Sequence, residues 1–236
     1  MNKPILSIIV PCYNEVENLP GLISAFSAAI ADKNIELVLV NNGSTDNSAQ
    51  LLQQMKALHS FISIVNIEKN EGYGHGILTG LRSAQADILG LPHADLQTDP
   101  HNVIKAYSLL QQQANPENCY IKGDRKGRPL FDQFFTIGMS LFESFYLKTR
   151  LWDINAQPNI FHRDFFNLWQ ANAPKDFALD LFVLYQARIN NLNVIRFDVG
   201  FPERIHGQSK WNTSLSGKWK FITRTFNFSI ELKKGL

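Results

Sequence analysis

A chain of 236 residues that is 44% hydrophobic and 19% charged, with a net charge of +2, can bury a sizeable core and is excluded from the disordered class. The small net charge gives no argument for a nucleic-acid partner, and none is expected. Two cysteines, Cys12 and Cys119, form no disulfide framework and suit a reducing cytosol.

Met1 to Pro4 leads straight into a short apolar segment, without the longer apolar core of a signal peptide. No stretch reaches the roughly 18–20 uninterrupted apolar residues of a membrane span. A cytoplasmic protein is expected, peripheral on the inner membrane face if it meets a membrane at all.

Ile5 to Val10 is rich in β-branched residues and closed by Pro11, which predicts a buried strand. The loop Pro11-Cys12-Tyr13-Asn14-Glu15 follows. Leu19, Leu22, Ile23, Phe26 and Ile30 then recur at helical spacing, with Asn18 placed to cap and Pro20 tolerable in the first turn. Glu36 to Val40 predicts a second strand, ending in Asn41-Asn42-Gly43-Ser44-Thr45-Asp46. A helix carrying Leu51, Leu52, Met55 and Leu58 leads to a third strand, Ile62 to Ile67. Asn70 to Gly76 opens another helix, where glycines allow close approach to a ligand and the helix start offers free amides to an anion. Gly74, Gly76 and Gly80 are wrongly spaced for a dinucleotide fingerprint, and no Gly-Lys-Ser/Thr phosphate loop exists.

The fourth strand, Ile88 to Leu91, breaks off in His93-Ala94-Asp95-Leu96-Gln97-Thr98-Asp99-Pro100. Positions 93, 95 and 97 share a face if the chain stays extended, so an imidazole, a carboxylate and an amide oxygen can converge on one cation. An ordinary polar turn before a helix is the other reading. The alternation of strand and helix implies a mostly parallel sheet covered on both faces. The polar loops at Asn14-Glu15, Asn41 to Asp46 and His93 to Asp99 all follow strand ends, so they are expected to share one crevice.

The second half is less regular. Cys119 to Lys122 predicts a strand, followed by a basic loop, Gly123-Asp124-Arg125-Lys126-Gly127-Arg128-Pro129. Phe131 to Leu147 predicts a helix whose aromatics exceed one stripe. It is either buried on several sides or it meets a membrane surface or a lipid chain, with Arg125, Lys126, Arg128, Lys148 and Arg150 suited to anionic headgroups. Asp176 to Ile189 predicts a helix with Asp180 near its start, and Val194 to Val199 an edge strand. Beyond it, Arg204-Ile205-His206-Gly207-Gln208-Ser209-Lys210 is either a phosphate-gripping loop or an ordinary exposed basic loop. From Arg204 onward seven basic residues face the single acid Glu231. A basic helical tail over 212–236 is expected to follow a main domain over 1–211.

Taken together, five stretches resemble the family-2 glycosyltransferases of the GT-A fold, most of all the polyprenyl-phosphate sugar transferases of the dolichol-phosphate mannose synthase type. They are Ser7 to Glu15, Val40 to Asp46, Gly72 to Gly80, Ala94 to Pro100 and Arg204 to Lys210, in the family's order and spread over nearly the whole chain. The resemblance implies an α/β, Rossmann-like, mostly parallel sheet with helices on both faces. It also implies an inverting transfer of a sugar from a UDP- or GDP-sugar to a polyprenyl phosphate, with Mn²⁺ or Mg²⁺ as cofactor and an anionic membrane surface as partner. Alternatives are transfer to a hydroxyl of a polysaccharide or lipid-linked glycan, or a non-catalytic nucleotide-sugar binder. The oligomeric state is not indicated.

Carried onto this sequence, the resemblance gives a donor site of Pro11, Tyr13, Asn14, Glu15, Asn41, Asn42, Asp46, Gly74, His93, Ala94 and Asp95. Asp95, with Gln97 and His93, would hold the metal. Arg204 and Lys210 would neutralise the diphosphate, and Arg125, Lys126, Arg204, Ser209 and Lys210 would meet the acceptor or a phosphate. Asp153 or Asp180 would orient the acceptor or take its proton, which a lipid phosphate, already ionised, scarcely requires. Asn41-Asn42 stands where the family has a pair of aspartates, and His93 where it has the first acid of Asp-x-Asp. Imidazole suits Mn²⁺ better than Mg²⁺, which predicts a Mn²⁺ preference.

Overall fold

The computed structural model describes residues 2–31, 33–92, 99–200 and 215–234, with the side chains of 130–132 and 215–222 outside that description. In chain order the elements are β1 (Leu6–Cys12), α1 (Leu19–Ile30), β2 (Ile35–Asn42), α2 (Ser48–Leu58), β3 (Ile62–Ile67), α3 (Tyr73–Ser83), β4 (Ile88–Leu91), α4 (His101–Gln111), β5 (Cys119–Lys126), α5 (Leu130–Tyr146), β6 (Asn159–His162), α6 (Arg163–Trp169), α7 (Leu179–Ile189), β7 (Asn193–Gly200) and α8 (Leu215–Lys234).

The strands form a seven-stranded sheet in the order β3-β2-β1-β4-β6-β5-β7. β3, β2, β1 and β4 run parallel, β6 is antiparallel to both β4 and β5, and β5 pairs parallel with β7. Every strand except β6 therefore points its carboxyl end to the same edge. This is the mostly parallel α/β sheet expected for the GT-A fold.

Both faces are packed, because the strands alternate two apolar sets. Ile9, Val38, Val40 and Leu89 join one core with Leu81 of α3, Trp169 of α6 and Phe182 of α7. Ile8, Val10, Leu37 and Leu39 join another with Phe26 of α1, Leu52 of α2 and Val103 of α4. A period of two with both sets apolar is what a strand covered by helices on each side requires.

At the amino edge, buried Glu36 ties the sheet together. Its carboxylate accepts from Ser7 Oγ at 2.6 Å, Ser63 Oγ at 2.8 Å and the Gln85 backbone N–H at 2.9 Å. This edge is held by hydrogen bonds within the fold.

Some boundaries differ from expectation. β5 runs on through Arg125 to Lys126 because it pairs with β7 in register from Cys119↔Asn193 to Lys126↔Gly200. α7 begins at Leu179, since Asp176 sits in the turn before it and accepts from the Ala178 N–H at 3.0 Å. β6 gave no signal in the sequence: four residues flanked by polar side chains become a strand only between β4 and β5. α8 packs on α5 and α7, with Phe226 5.4 Å from Phe142 and Phe228 6.2 Å from Phe182 between ring centroids.

Candidate functional site

The sheet order reverses between β1 and β4, where the chain leaves outward through β2 and β3 and then returns. Ligands of open α/β sheets bind in the crevice at such a reversal, beyond the carboxyl ends. Cys12, Asn42 and Leu91 end three neighbouring strands there.

The first two loops are laced together at this edge. The Asn14 backbone N–H donates to Ser44 Oγ at 3.1 Å, and the Thr45 N–H donates to Asn14 Oδ1 at 2.8 Å. The Glu15 N–H donates to Ser48 Oγ at 3.0 Å, while Asp46 accepts from the N–H of Ser48 at 2.9 Å and of Val16 at 3.4 Å. Burial opposes ionisation of Asp46, but the hydrogen bonds from Ser48 and Val16 outweigh it and hold its carboxyl below the usual range. Asn14, at φ +54°, takes the left-handed conformation that asparagine tolerates. Pro11 pairs with Val40 in the sheet, and Tyr13 is half-buried beside it. The sequence brought Pro11, Tyr13, Asn14, Glu15 and Asp46 together, and in the structure they form one ledge.

Asn41 and Asn42 are buried under that ledge. Asn41 donates to Asn66 Oδ1 at 3.1 Å and accepts from the Ser44 N–H at 3.2 Å. Asn42 donates to the Gly72 carbonyl at 3.0 Å, and its Oδ1 has no partner among the described residues. Their amides thus join β2 to β3 and to the start of α3. Gly43 needs its φ of +71°, and a Cβ there would lie 2.4 Å from Asn70 N.

The start of α3 departs from expectation. Its amides were expected to be free for an anion, but the His75 N–H donates to the Lys175 carbonyl at 2.8 Å. Gly74 is required for this approach: a Cβ would lie 2.6 Å from the Pro174 carbonyl oxygen and 2.7 Å from that of Asp176. The segment 174–176 covers the helix start because α7 follows it and packs on the same core.

At the carboxyl end of β5 lies a second group of charges. Arg125 and Asp153 form a two-pronged ion pair with both side chains nearly enclosed. Burial opposes ionisation of Asp153, but its contacts with Arg125 prevail and hold its carboxyl below the usual range. Lys122, fully buried on β5, donates to the Ala156 carbonyl at 2.6 Å and Asn159 Oδ1 at 2.9 Å. Burial, with Arg196 nearby, pushes its ammonium down to about 7. Asp180 is also buried, and burial raises its carboxyl although Lys122 and a hydrogen bond with Gln157 oppose the shift. The Gln157 side-chain amide donates to Tyr73 Oη at 2.8 Å, its own peptide bond to Pro158 being cis, and Tyr73 stacks on Phe177 at 4.7 Å. Lys126 is exposed and paired with Asp124 at 2.8 Å and Asp198 at 3.5 Å.

Asp153, Asp180 and Arg125 are thus brought together, whereas Lys122, Gln157 and Arg196 were missed as site residues. A lysine within the apolar run Cys119-Tyr120-Ile121-Lys122 was the available signal, since a buried charge requires partners. Arg125 also lines a cavity of about 40 Å³ with Phe135, Met139, Ile154, Phe177 and Leu181.

His93, Ala94, Asp95, Gln97, Arg204, Ser209 and Lys210 lie outside the described residues. Among the described residues no group of three His, Cys, Asp or Glu is placed to hold a metal. The chain reaches the carboxyl edge of the sheet at Leu91, beside β1, and the next residues with metal-binding side chains are His93, Asp95 and Gln97. One carboxylate, one amide oxygen and one imidazole fit a divalent cation such as Mn²⁺.

The sequence profile described as Glycosyl transferase family 2 matches residues 7–166. A curated relative, the undecaprenyl-phosphate 4-deoxy-4-formamido-L-arabinose transferase of Pseudomonas savastanoi pv. phaseolicola, is 33% identical over 111 residues, which are 45% of this chain and 33% of that protein. The matched stretch therefore spans about a third of that relative's length. Among solved structures, glucosyl-3-phosphoglycerate synthase from Mycobacterium tuberculosis in complex with uridine diphosphate superposes with a TM-score of 0.67 at 16% identity, over 92% of this chain and 77% of that one. A mannosyltransferase from Pyrobaculum calidifontis in complex with GDP-Man and Mn²⁺ gives 0.62 at 18% identity, over 89% and 59%. Likenesses at these identities establish the fold.

Proposed function

The chain belongs to glycosyl transferase family 2, and from that premise we propose that it transfers a sugar from a UDP- or GDP-sugar to a polyprenyl phosphate, inverting the anomeric centre. The observation that carries this reading is the ledge of Pro11 to Asp46 at the sheet's reversal point, on the edge to which β4 and β5 also deliver their carboxyl ends. The relative named above supports an undecaprenyl-phosphate acceptor, and the neighbours' bound nucleotides support the donor class.

In this reading the Pro11–Glu15 and Asn41–Asp46 loops hold the nucleotide. Asp95, with Gln97 and His93, holds the divalent cation, which when bound offsets the charge that builds on the leaving diphosphate. Arg204 and Lys210 place further positive charge there, and Ser209 contributes a hydroxyl. Arg125 receives the acceptor phosphate, with Lys126 at the rim. Asp153 fixes the Arg125 guanidinium in place, so its orientation is set before the phosphate arrives. Arg196 lies nearby, its guanidinium influenced by both Asp153 and Asp124. A polyprenyl phosphate is already ionised at neutral pH and needs little general-base help.

Among the described residues no helix is long and apolar enough to cross a membrane. In this reading the lipid acceptor is met at the inner membrane face, on an anionic surface.

A panel of UDP- and GDP-sugars with Mn²⁺, read by thermal shift and then by transfer to polyprenyl phosphate, tests the proposal. A donor that raises the melting temperature and is consumed only with acceptor supports it. Transfer to a glycan hydroxyl in place of the lipid would overturn the acceptor assignment. Donor binding without metal-dependent release of the nucleoside diphosphate would leave a non-catalytic binder.

A further inference from the structure

β6 begins at Asn159, so its pairing with β5 stops at Lys122↔Asn159. Beyond that point the segment 152–158 takes the strand's place, and separate hydrogen bonds rather than a ladder hold it. The Gly123 backbone N–H donates to the Pro158 carbonyl at 3.0 Å, and the Arg125 N–H to Asp153 Oδ2 at 3.0 Å. Arg196 of β7 donates to the Trp152 carbonyl, and the Asp153 N–H donates to Ser140 Oγ of α5 at 3.1 Å. Asp153 itself sits at φ +38°, a backbone conformation that an L-residue keeps only where its surroundings hold it there.

Lys122 stands where the ladder gives way to this segment. Its amine donates to the Ala156 carbonyl and to Asn159 Oδ1, so one group grips both ends of the turn 156–159. Both of those residues are buried, and an oxygen deprived of its donor in the interior is costly. Neither partner is a carboxylate, so the grip needs N–H donors and not a charge. An apolar side chain would fill the same space without the cost of burying an amine, but it would hold neither oxygen. The gripped turn in turn closes on the acid: the Ala156 N–H donates to the Asp153 carbonyl at 3.0 Å. The Asp153 carboxylate then holds both the main chain and the guanidinium of Arg125.

We propose that Lys122 is a positioning residue: by gripping both ends of the turn 156–159 it holds Asp153 in place and, through Asp153, presents the Arg125 guanidinium to an incoming phosphate. Lys122 touches no substrate and acts only through the turn. The proposal rests on the sugar-transfer reading for the identity of that phosphate as the acceptor's, yet the positioning itself is measurable with no substrate present.

Hydrogen exchange and acceptor kinetics on Lys122→Met and Lys122→Gln test it. Methionine fills the space and has no donor, whereas glutamine keeps an amide N–H pair. In Lys122→Met, exchange at the Gly123 and Arg125 amides is expected to accelerate about tenfold, the weight of one buried hydrogen bond, while the amides of β1 and β2 keep their wild-type rates. The KM for polyprenyl phosphate should rise about tenfold with kcat and the donor-induced thermal shift unchanged. Lys122→Gln should recover most of both effects. Ile30→Ala, in the core beneath α1, lowers the melting temperature without touching the turn, and its KM should stay at the wild-type value. If Lys122→Met does not fold, Asn159→Ala removes one of the two gripped oxygens and is expected to accelerate the same two amides. Unchanged exchange at Arg125, or acceleration spread evenly over the whole sheet, overturns the proposal. Transfer to polyprenyl phosphate with a KM that Lys122→Met leaves unchanged sinks the positioning role alone. A wild type that ignores polyprenyl phosphate, with Arg125 exchange accelerated in Lys122→Met, sinks the acceptor reading alone.

Discussion

The Asp153 carboxylate accepts from Arg125 twice over: from the guanidinium, with Nε at 2.9 Å, and from the backbone N–H at 3.0 Å. Side chain and main chain of one residue are thus held by a single acid that stands 28 residues away at φ +38°.

Replacing that acid should be costly. Asp153→Ala leaves the enclosed guanidinium without its countercharge, and breaking a buried pair from one side costs about 3–5 kcal/mol. Because the Asp153 carboxyl is held below its unfolded range near 4, its contribution is present at neutral pH and is lost as pH falls through the folded value. Melting curves from pH 7 down to pH 2 should show an acid limb that is shallower in Asp153→Asn.

Lys122 and Asp180 attract each other in the buried interior without touching. A double-mutant cycle of Lys122→Met and Asp180→Asn should give a coupling of about 0.5–3 kcal/mol, as neighbouring buried groups do. Additive effects in urea melts would show that the two act independently.

Glu143 has the opposite pH signature. Burial pushes its carboxyl up to about 7 against the hydrogen bond from Ser229, so between its unfolded value near 4.3 and 7 the folded state binds the extra proton. Stability from this group is full below that window and falls as pH rises through it. Glu143→Gln keeps the shape and removes the titration. Its melting temperature relative to wild type should be higher at pH 8 than at pH 4, and an equal difference at both would show that Glu143 does not titrate there.

Gly74→Ala places a methyl against the carbonyls of Pro174 and Asp176. Overpacking of this kind costs about 1–3 kcal/mol, and hydrogen exchange at the His75 amide should accelerate as its bond to Lys175 is strained. Unchanged exchange would show that the segment 174–176 moves aside freely.

Chelation should abolish donor-induced thermal stabilisation if Asp95, Gln97 and His93 hold the cation. Asp95→Ala should behave like the chelated wild type, and His93→Asp should shift the preference from Mn²⁺ toward Mg²⁺. Equal stabilisation by both metals in wild type and variant would remove His93 from the ligand set.

Much of the fold was legible because local rules dominate it. Ile62–Ile67 and Ile88–Leu91 were read to the residue, since an apolar run between polar loops admits one placement in a covered parallel sheet. α5 was read to within one residue at each end, but which of its faces is buried was not legible. Its aromatics surround the helix, and only packing against α8, where Glu143 accepts from Ser229, decides which side faces inward.

Sequence by itself determined the succession of strands and helices apart from β6 and α6, the edge at which Asn14, Asn41 and Asp46 gather, and the family to which they point. Those features follow from side-chain periodicity and from what can end a strand, both properties of neighbours in the chain. Tertiary structure alone decided β6, the Arg125–Asp153 pair, the buried Lys122 and the Lys175 carbonyl on the start of α3. Each joins residues 28 to 100 positions apart, where partner choice is set by which groups the packed sheet leaves buried and in need of a hydrogen bond.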